Sequence, residues 1–152
     1  LDSDWNFTSY QVVSTSDKNQ LSLLEQNFIQ DFNVDSLIGT AKTEIEKEGA
    51  VKLFEDEFKQ ILVYADEEMQ DVLLNGSAVT SDQFAGWTLK GAEVTNEGNQ
   101  LVWYNDTANL LSVWNVDSNW NYVSYEAVSE NDIVPFNKIE ANFYQDFNNP
   151  TL

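Results

Sequence analysis

Two stretches of the chain place apolar residues at spacings of three and four. The four positions in each stretch are Leu21, Leu24, Phe28 and Phe32, and then Phe136, Ile139, Phe143 and Phe147. That spacing puts the side chains on one face of a helix, so each stretch is predicted to be an amphipathic helix. Asp17, followed three residues later by Gln20, is typical of a helix start, and Pro135 fits the first turn of the second helix.

Between these helices the apolar positions alternate as in β-strands. The predicted strands are residues 43–48, 50–55, 59–65, 69–74, 89–95, 99–105, 109–116 and 120–128. Turn-forming residues separate them, among them Asn75 with Gly76. Two acidic runs, residues 55–57 and 66–68, could be a pair of catalytic acids, but their position between strands favours solvated turns.

The two ends of the chain are copies of each other. Residues 2–7 match 117–122, and residues 25–33 match 140–148, both at an offset of 115 positions. Between residues 1–35 and 116–150, 16 of the 35 pairs are identical. A fixed offset is typical of a tandem-repeat protein. We therefore divide the chain into 1–35, the tail of a preceding repeat that begins with an aromatic strand in residues 1–16, and 36–152, a nearly complete repeat module.

These elements predict a mainly β fold with one helix per repeat, of the α+β class. The strands are expected to form an antiparallel meander sheet or a sandwich. At 152 residues and 42% hydrophobic content, the chain is long and apolar enough to bury a core. It contains no run of 18 apolar residues, so insertion into a membrane is not expected.

Charge narrows the set of partners. The chain has 26 acidic residues and 7 basic ones, all lysine, for a formal net charge of −19. Nucleic acid is not an expected partner, because binding to phosphates needs clustered Lys or Arg. Repulsion among so many carboxylates should weaken the compact state at low salt, and salt or divalent cations would relieve it.

The sequence contains neither cysteine nor histidine, which removes several mechanisms. The chain has no disulfide, no thiol nucleophile, no Ser-His-Asp triad and no imidazole-bound zinc or copper. Carboxylate chemistry remains, either as paired acids or as oxygen ligands for a hard cation. We do not expect an enzyme.

Three groups of residues carry a resemblance to a known family. They are residues 79–87 followed by 91–93, then Val102 and Trp103 with residues 112–118, and last residues 140–148. Together they resemble the tryptophan-rich repeat domain found in large secreted proteins of cyanobacteria and other bacteria, over roughly residues 36–150. The resemblance implies an extracellular or cell-surface repeat module, often beside calcium-binding sequences, with no known catalytic activity.

The best candidate for a chemical site follows the first helix. Asp31, Asn33 and Asp35 alternate as in positions 1, 3 and 5 of a calcium-binding loop, and the Leu37 carbonyl takes position 7. The two interpretations are a weak calcium site and a helix stop that solvates itself through Asx turns.

Two departures weaken the calcium interpretation. Ser36 and Lys42 stand where glycine and a bidentate glutamate are expected. Members of the resembled family usually end this helix with an Asp-x-Asn-x-Asp-Gly turn. The second copy keeps Asp146 and Asn148, but Pro150 replaces the third ligand.

Five tryptophans are candidate binding or packing residues: Trp5, Trp87, Trp103, Trp114 and Trp120. If they are exposed together they could stack on sugar rings, and polysaccharide would be a partner. If they are buried they fill a β core. A sugar-binding module should expose at least two tryptophans on one face, whereas a structural module should bury most of them.

The incomplete ends suggest how the chain works. Residues 1–35 lack the strands that precede the second copy, equivalent to 100–115, and open strand edges readily accept a strand from another chain. We expect a structural module of a secreted or cell-surface bacterial protein that associates head to tail with other copies or adjoining repeats. Such contacts build an extracellular fibre or array, tightened by calcium if the loop binds it.

Alternatives to this assembly remain open. Residues 1–35 could pack on the same module, or the chain could be an excerpt of a longer array. In function, the main alternative is a carbohydrate-binding or adhesion module that uses exposed tryptophans.

Overall fold

The computed structural model describes residues 3–14, 16–32 and 39–148, and the chain divides into two compact units, Leu1–Ala41 and Lys42–Leu152. No helix within these described ranges is both long and apolar enough to cross a lipid bilayer.

The described part of the first unit contains one helix, α1 (Lys18–Phe28). The side chain of Asp17 accepts a hydrogen bond from the Gln20 amide at 3.2 Å, which confirms the predicted helix start. The helix ends at Ile29, whose left-handed backbone lets its amide donate to the Glu25 carbonyl.

The second unit contains the strands. They are β1 (Lys42–Glu46), β2 (Lys52–Asp56), β3 (Ile61–Ala65), β4 (Glu68–Asp71), β5 (Leu73–Leu74), β6 (Ser77–Ala78), β7 (Thr88–Thr95), β8 (Gly98–Asn105), β9 (Leu110–Val116) and β10 (Tyr122–Ser129), followed by helix α2 (Ile133–Phe143). All pairs are antiparallel, in one sheet of order β1-β2-β3-β4, a second of order β10-β9-β8-β7, and the short pair β5-β6. The predicted mainly β fold with antiparallel sheets and helices is therefore confirmed.

The strand predicted at 69–74 is divided in the structure. β4 ends at Asp71, and β5 then pairs with β6 across the turn at Asn75 and Gly76. Both turn residues have positive φ, of 53° and 79°, as a tight hairpin turn requires. The turn was predicted, but the change of pairing partner was not, because it depends on contacts that the local pattern does not contain.

The second sheet is apolar on both faces. On β8, Leu101 and Trp103 join the apolar cluster that the first sheet also fills with residues such as Leu53 and Val63. The alternate residues Val102 and Tyr104 belong to a separate cluster beneath α2. A strand with apolar residues in both phases is typical of a sheet that is covered on both sides.

Helix α2 covers the outer face of the second sheet. Its predicted apolar stripe is entirely buried, and it packs on side chains of β8, β9 and β10: Phe136, Ile139, Phe143 and Phe147 lie against Val102, Tyr104, Leu111, Val113 and Val128. Fully burying one such side chain contributes about 1.5–3 kcal/mol. The helix is therefore held by its packing, since eleven residues are too few for a stable helix alone.

The aromatic strand expected at the start of the chain is absent from residues 3–14, where Trp5, Phe7 and Tyr10 are all exposed. The equivalent segment of the second unit forms β10 because β9 provides its hydrogen-bonding partner. The described residues of the first unit contain no strand to pair with. A lone extended segment leaves its backbone groups to water and gains no ladder.

The packing of α2 predicts a large cost for truncating its stripe. Phe143→Ala should lower the free energy of unfolding by about 3–5 kcal/mol, because it removes a fully buried ring and leaves a cavity. Val134→Ala, on the exposed side of the same helix, should change it by less than about 0.5 kcal/mol. Urea unfolding followed by circular dichroism measures both. Equal effects of the two substitutions would contradict this packing.

Candidate functional site

An aromatic cleft opens beside the core of the second unit. It encloses about 360 Å³ and is lined by Leu74, Phe84, Trp87, Trp103, Ser112, Trp114, Tyr122 and Tyr125. None of these side chains is charged, although the chain as a whole has a net charge of −19. The cleft is therefore suited to a neutral or apolar group rather than to an ion.

The rings of this cleft also pack on one another. Phe84 meets Trp103 edge to face, with ring centroids 5.3 Å apart, and Trp114 meets Tyr122 at 4.9 Å. Such edge-to-face pairs stabilise the core beyond their buried area. Trp103 carries one orphaned group, because its buried Nε1 has no hydrogen-bond partner among the described residues.

The five candidate tryptophans are in different surroundings. Trp103, Trp114 and Trp120 are buried in the core of the second unit, Trp87 is half-buried at the cleft, and Trp5 is exposed in the first unit. Within the second unit, the structure therefore brings Trp87, Trp103 and Trp114 together at the cleft, and Trp120 is not part of the cleft lining.

Two buried carboxylates form a second feature that sequence reasoning missed. Glu46, at the end of β1, and Glu93, on β7, are both almost fully buried, and each has one oxygen without a partner among the described residues. The Glu46 side chain lines a cavity of about 790 Å³ between β1, the start of β7 and the end of α2. The Glu48 amide donates to Glu46 Oε1, and the Ala50 amide donates to Glu93 Oε2 at 3.3 Å.

Burial changes the proton affinity of both groups. Desolvation, with a smaller contribution from the nearby Glu93 charge, raises the pKa of Glu46 to about 7. Desolvation likewise raises the pKa of Glu93, against opposing backbone hydrogen bonds such as that from Ala50. A Cβ at Gly49, where φ is +88°, would lie 1.7 Å from Glu93 Oε1. The backbone therefore approaches Glu93 so closely that only glycine fits.

The predicted calcium loop lies mostly outside the described residues. Asp31 is described and partly buried, whereas Asn33, Asp35 and Leu37 fall in a range that the structure does not describe. Within the described ranges, no group of three or more acidic side chains is placed to hold a metal ion. The calcium site remains a prediction.

The two acidic runs lie only partly in turns. Glu57, Asp66 and Glu67 are turn residues, whereas Glu55 and Asp56 belong to β2, where Asp56 is buried, and Glu68 begins β4. Glu55, at the end of β2, pairs with Lys59 at 2.7 Å and also accepts a hydrogen bond from the Ser81 hydroxyl. These interactions lower the pKa of Glu55, with the Lys59 hydrogen bond as the largest cause.

The third feature is the pair of copies at the two ends, which share local structure at the same offset of 115. We call residues 3–14 and 16–32 the first segment, and residues 118–147 the second segment. Helices α1 and α2 occupy equivalent positions, and their C-caps Ile29 and Tyr144 have φ of 52° and 55°. Trp5 and Trp120 also share a rare positive φ, of 64° and 60°.

A glutamate, buried at Glu25 and half-buried at Glu140, closes each helix end in the same way. Glu25 Oε1 accepts the Phe32 amide at 3.1 Å, and Glu140 Oε1 accepts the Phe147 amide at 2.9 Å. Glu25 Oε2 also accepts the Gly39 amide at 3.1 Å. The recurrence of glutamate and phenylalanine seven residues apart in both copies was a signal for this contact, but a carboxylate on an apolar stripe does not reveal its own partner.

Burial is where the two segments differ. The exposed fraction is 81% for Trp5 against 1% for Trp120, and 66% for Phe28 against 0% for Phe143. The paired rings nevertheless keep one geometry, with centroids 6.1 Å apart for Phe28 and Phe32 and 6.2 Å apart for Phe143 and Phe147. The apolar stripe is thus fully covered in the second unit, whereas in the first unit Leu21 is buried and the C-terminal part of the stripe, Phe28 and Phe32, is open.

Glu46 predicts a dependence of stability on pH. Its pKa in the folded chain lies above the unfolded value of 4.5, so the folded chain binds this proton more tightly. Its contribution to stability is complete below about pH 4.5 and is lost as the pH rises through 7. Glu46→Gln should flatten the decline in the free energy of unfolding across this range by on the order of 1–2 kcal/mol, allowing for water in the cavity.

Thermal or urea unfolding at several pH values from 4.5 to 8 measures this slope. Glu68→Gln, on an exposed position of β4, is the matched control and should leave the slope unchanged. The assignment to Glu46 is wrong if both variants have the slope of the unsubstituted chain.

A family model matches residues 51–152, which covers β2 to α2 and the aromatic cleft. Its description is the tryptophan-rich Synechocystis species C-terminal domain. No curated protein and no solved structure matches the chain. The match extends over more than half of the sequence and confirms the expected tryptophan-rich cyanobacterial domain. The chain therefore belongs to the family of the tryptophan-rich Synechocystis species C-terminal domain.

Proposed function

We propose that this chain is a structural repeat module of a secreted or cell-surface protein. In this proposal the two ends belong to a tandem repeat, and the two sheets of each module pack as a sandwich. Modules join head to tail, with copies of the chain or with adjoining repeats, and build an extracellular fibre or array. The module has no catalytic role.

The observation that carries the proposal is the open apolar stripe of α1. Phe28 and Phe32 are exposed in the first unit, while their equivalents Phe143 and Phe147 are almost wholly buried. Exposed clusters of large apolar side chains mark interaction surfaces or aggregation liabilities. Here the surface has a defined partner geometry, because the same sequence is seen covered in the second unit.

The positions of the tryptophans also support a structural role. Trp103, Trp114 and Trp120 are used in the core, where their rings contact other rings or lie in the apolar cluster. Edge-to-face packing consumes the ring faces on which a sugar would stack. A structural module is expected to bury most of its tryptophans in this way.

Calcium enters the proposal as a stabilising ligand of the loop after α1. Asp31 together with Asn33, Asp35 and Leu37 would supply its oxygens. A chain with net charge −19 also gains from any bound cation, because each one reduces self-repulsion. Calcium should therefore strengthen the joining of modules.

The association is predicted to depend on Phe28. In sedimentation velocity over a range of chain concentrations, Phe28→Lys should weaken association by at least about tenfold, because a lysine cannot be buried in place of a ring without a large cost. Leu23→Lys is the matched control, since Leu23 is exposed on the same helix and its equivalent in the second segment is the exposed Lys138. It should associate like the unsubstituted chain.

Electron microscopy of the same samples with calcium and with chelator shows whether the associated form is a filament. A single monomeric species at every concentration, with and without calcium, would contradict the proposal. Equal association of the Phe28→Lys and Leu23→Lys variants would assign the contact to another surface.

The aromatic cleft favours one second candidate, a carbohydrate-binding module. Its uncharged lining and the half-buried Trp87 at its side are features of a site for neutral sugars. In this case cellohexaose or chitohexaose should change the tryptophan fluorescence of the chain, and Trp87→Ala should abolish the change. Tyr64→Ala, on the surface of β3, is the control. No response to either sugar would exclude these ligands and leave the structural role.

A further inference from the structure

The surface that would cover the first segment can be read from the second. In the second unit, β10 pairs with β9, and α2 lies on the outer face of β8 and β9. We call strands β7, β8 and β9 the docking sheet, since the whole second segment lies on it or at its edge. The docking sheet contributes Val102, Tyr104, Leu111 and Val113 to the apolar contact.

The two segments match at the positions that matter for this contact. Six apolar side chains of the second segment are buried: Trp120 in the cluster shared with the first sheet, and Val128, Phe136, Ile139, Phe143 and Phe147 in the cluster beneath α2. The equivalent residues of the first segment are Trp5, Val13, Leu21, Leu24, Phe28 and Phe32. Four of the six are identical, and the other two are leucine. Every apolar contact of the second segment therefore has a counterpart of similar size.

On the two helices, exposed positions match much less well. Ile133, Val134 and Lys138 are exposed on α2, and the equivalent residues of α1 are Lys18, Asn19 and Leu23. These pairs differ in chemical class. The likeness of the two helices thus follows the face that contacts the docking sheet and is lost on the face that does not.

A polar contact follows the same rule. Gln145 Nε2 donates to the Lys90 carbonyl at 2.9 Å, next to Gly91, where a Cβ would lie 2.8 Å from the same nitrogen. The missing side chain at Gly91 makes room for the glutamine. Gln30 is the equivalent residue of the first segment, so the same hydrogen bond is available to it on another docking sheet.

Each chain has one described docking sheet and two segments that fit it. The second segment follows β9 directly, so its effective concentration at that sheet is high and it occupies the sheet. If two identical chains exchanged these segments, each chain would still have one segment without a docking sheet, so the number of contacts would not increase. A contact is gained only with a docking sheet that lacks its own fourth strand and helix.

We propose that the first segment binds such an open docking sheet on another repeat of this pattern, and completes it as the second segment completes the sheet of this chain. Residues 3–14 would add a strand to the β9 edge, and α1 would cover the outer face. Recognition combines main-chain hydrogen bonds along the strand with apolar side chains from the helix. The proposal rests on the structural role proposed above and names the surface through which the chain joins an adjoining repeat whose sheet is open, which is a separate contact from the association of identical copies.

Disulfide trapping tests the proposal directly, because the chain has no cysteine of its own. Ala127 pairs with Ser112 between β10 and β9, and Val12 is the residue equivalent to Ala127. Paired antiparallel positions have Cα atoms about 4.5–5.5 Å apart, within the range that a disulfide spans. Full-length chain with Ala127→Cys and Ser112→Cys should form the bond within one molecule, which establishes that this pair can be bridged.

The acceptor is the full chain with Ser112→Cys and with Phe28→Lys, Phe136→Lys and Phe143→Lys, so that neither of its own segments can pack on its docking sheet. The donor is the full chain with Val12→Cys. Mixing them under mild oxidation should give a disulfide-linked donor–acceptor pair. The yield of this pair should be at least about tenfold higher than the yield from a donor that also carries Phe28→Lys. A donor with Leu23→Lys should behave like the unaltered donor.

The proposal would be overturned if no donor–acceptor disulfide formed. It would also be overturned if the Phe28→Lys and Leu23→Lys donors gave equal yields of the disulfide. If the triple-lysine acceptor does not fold, an acceptor with Phe143→Ala and Ser112→Cys replaces it. The test is then the same ratio of disulfide yields between the unaltered donor and the Phe28→Lys donor. Sedimentation of the unsubstituted chain alone tests the proposed self-association. A monomeric chain whose first segment still bonds to the acceptor would refute self-association and uphold this contact.

Discussion

The structure depends on the requirement that a sheet with two apolar faces be covered twice. Along β8, residues of both phases are apolar, so neither face of the second sheet can be left to water. Side chains of the first sheet share the core on one face, and α2 covers the other. Helix α2, strand β10 and the loop after α2 all contribute to this cover. A similar sequence occurs at the start of the chain, so the kind of surface that it would cover can be inferred from the second unit.

The acidic side chains are distributed so that few of them are buried near these apolar contacts. The contact between α2 and the docking sheet is formed by apolar side chains, and the buried Glu25 and the half-buried Glu140 each accept a hydrogen bond from a backbone amide. Most other acidic groups lie in turns or on the surface, where water screens them. Glu46 and Glu93 are the exceptions, since each is buried with one oxygen left without a partner among the described residues. They lie where β1 approaches β7, and burial raises the pKa of both carboxyl groups.

Much of the fold could be predicted from local patterns. The stripes of α1 and α2, the cap at Asp17 and the turn at Asn75 follow from the spacing and chemistry of nearby residues. The exposure of Trp5 could not be predicted in this way, because Trp5 and Trp120 have similar local sequences and the same positive φ but opposite burial. Their difference comes from a neighbouring sheet that one of them has and the other lacks within its unit. The burial of Glu46 and Glu93 was missed for a similar reason, since no local pattern distinguishes a buried carboxylate on a strand from an exposed one.

Hydrogen exchange of the α1 amides tests the central claim most directly, because α1 and α2 have the same length and equivalent left-handed C-caps but different cover. In dilute chain, the amides of residues 22–28 should exchange much faster than those of α2, because Phe28 is exposed where Phe143 is buried and a short helix with little packing opens readily. Mixing with the acceptor chain should raise α1 to the protection seen in α2. Strong protection of α1 in the dilute monomer, or none in the presence of the acceptor, would contradict the account.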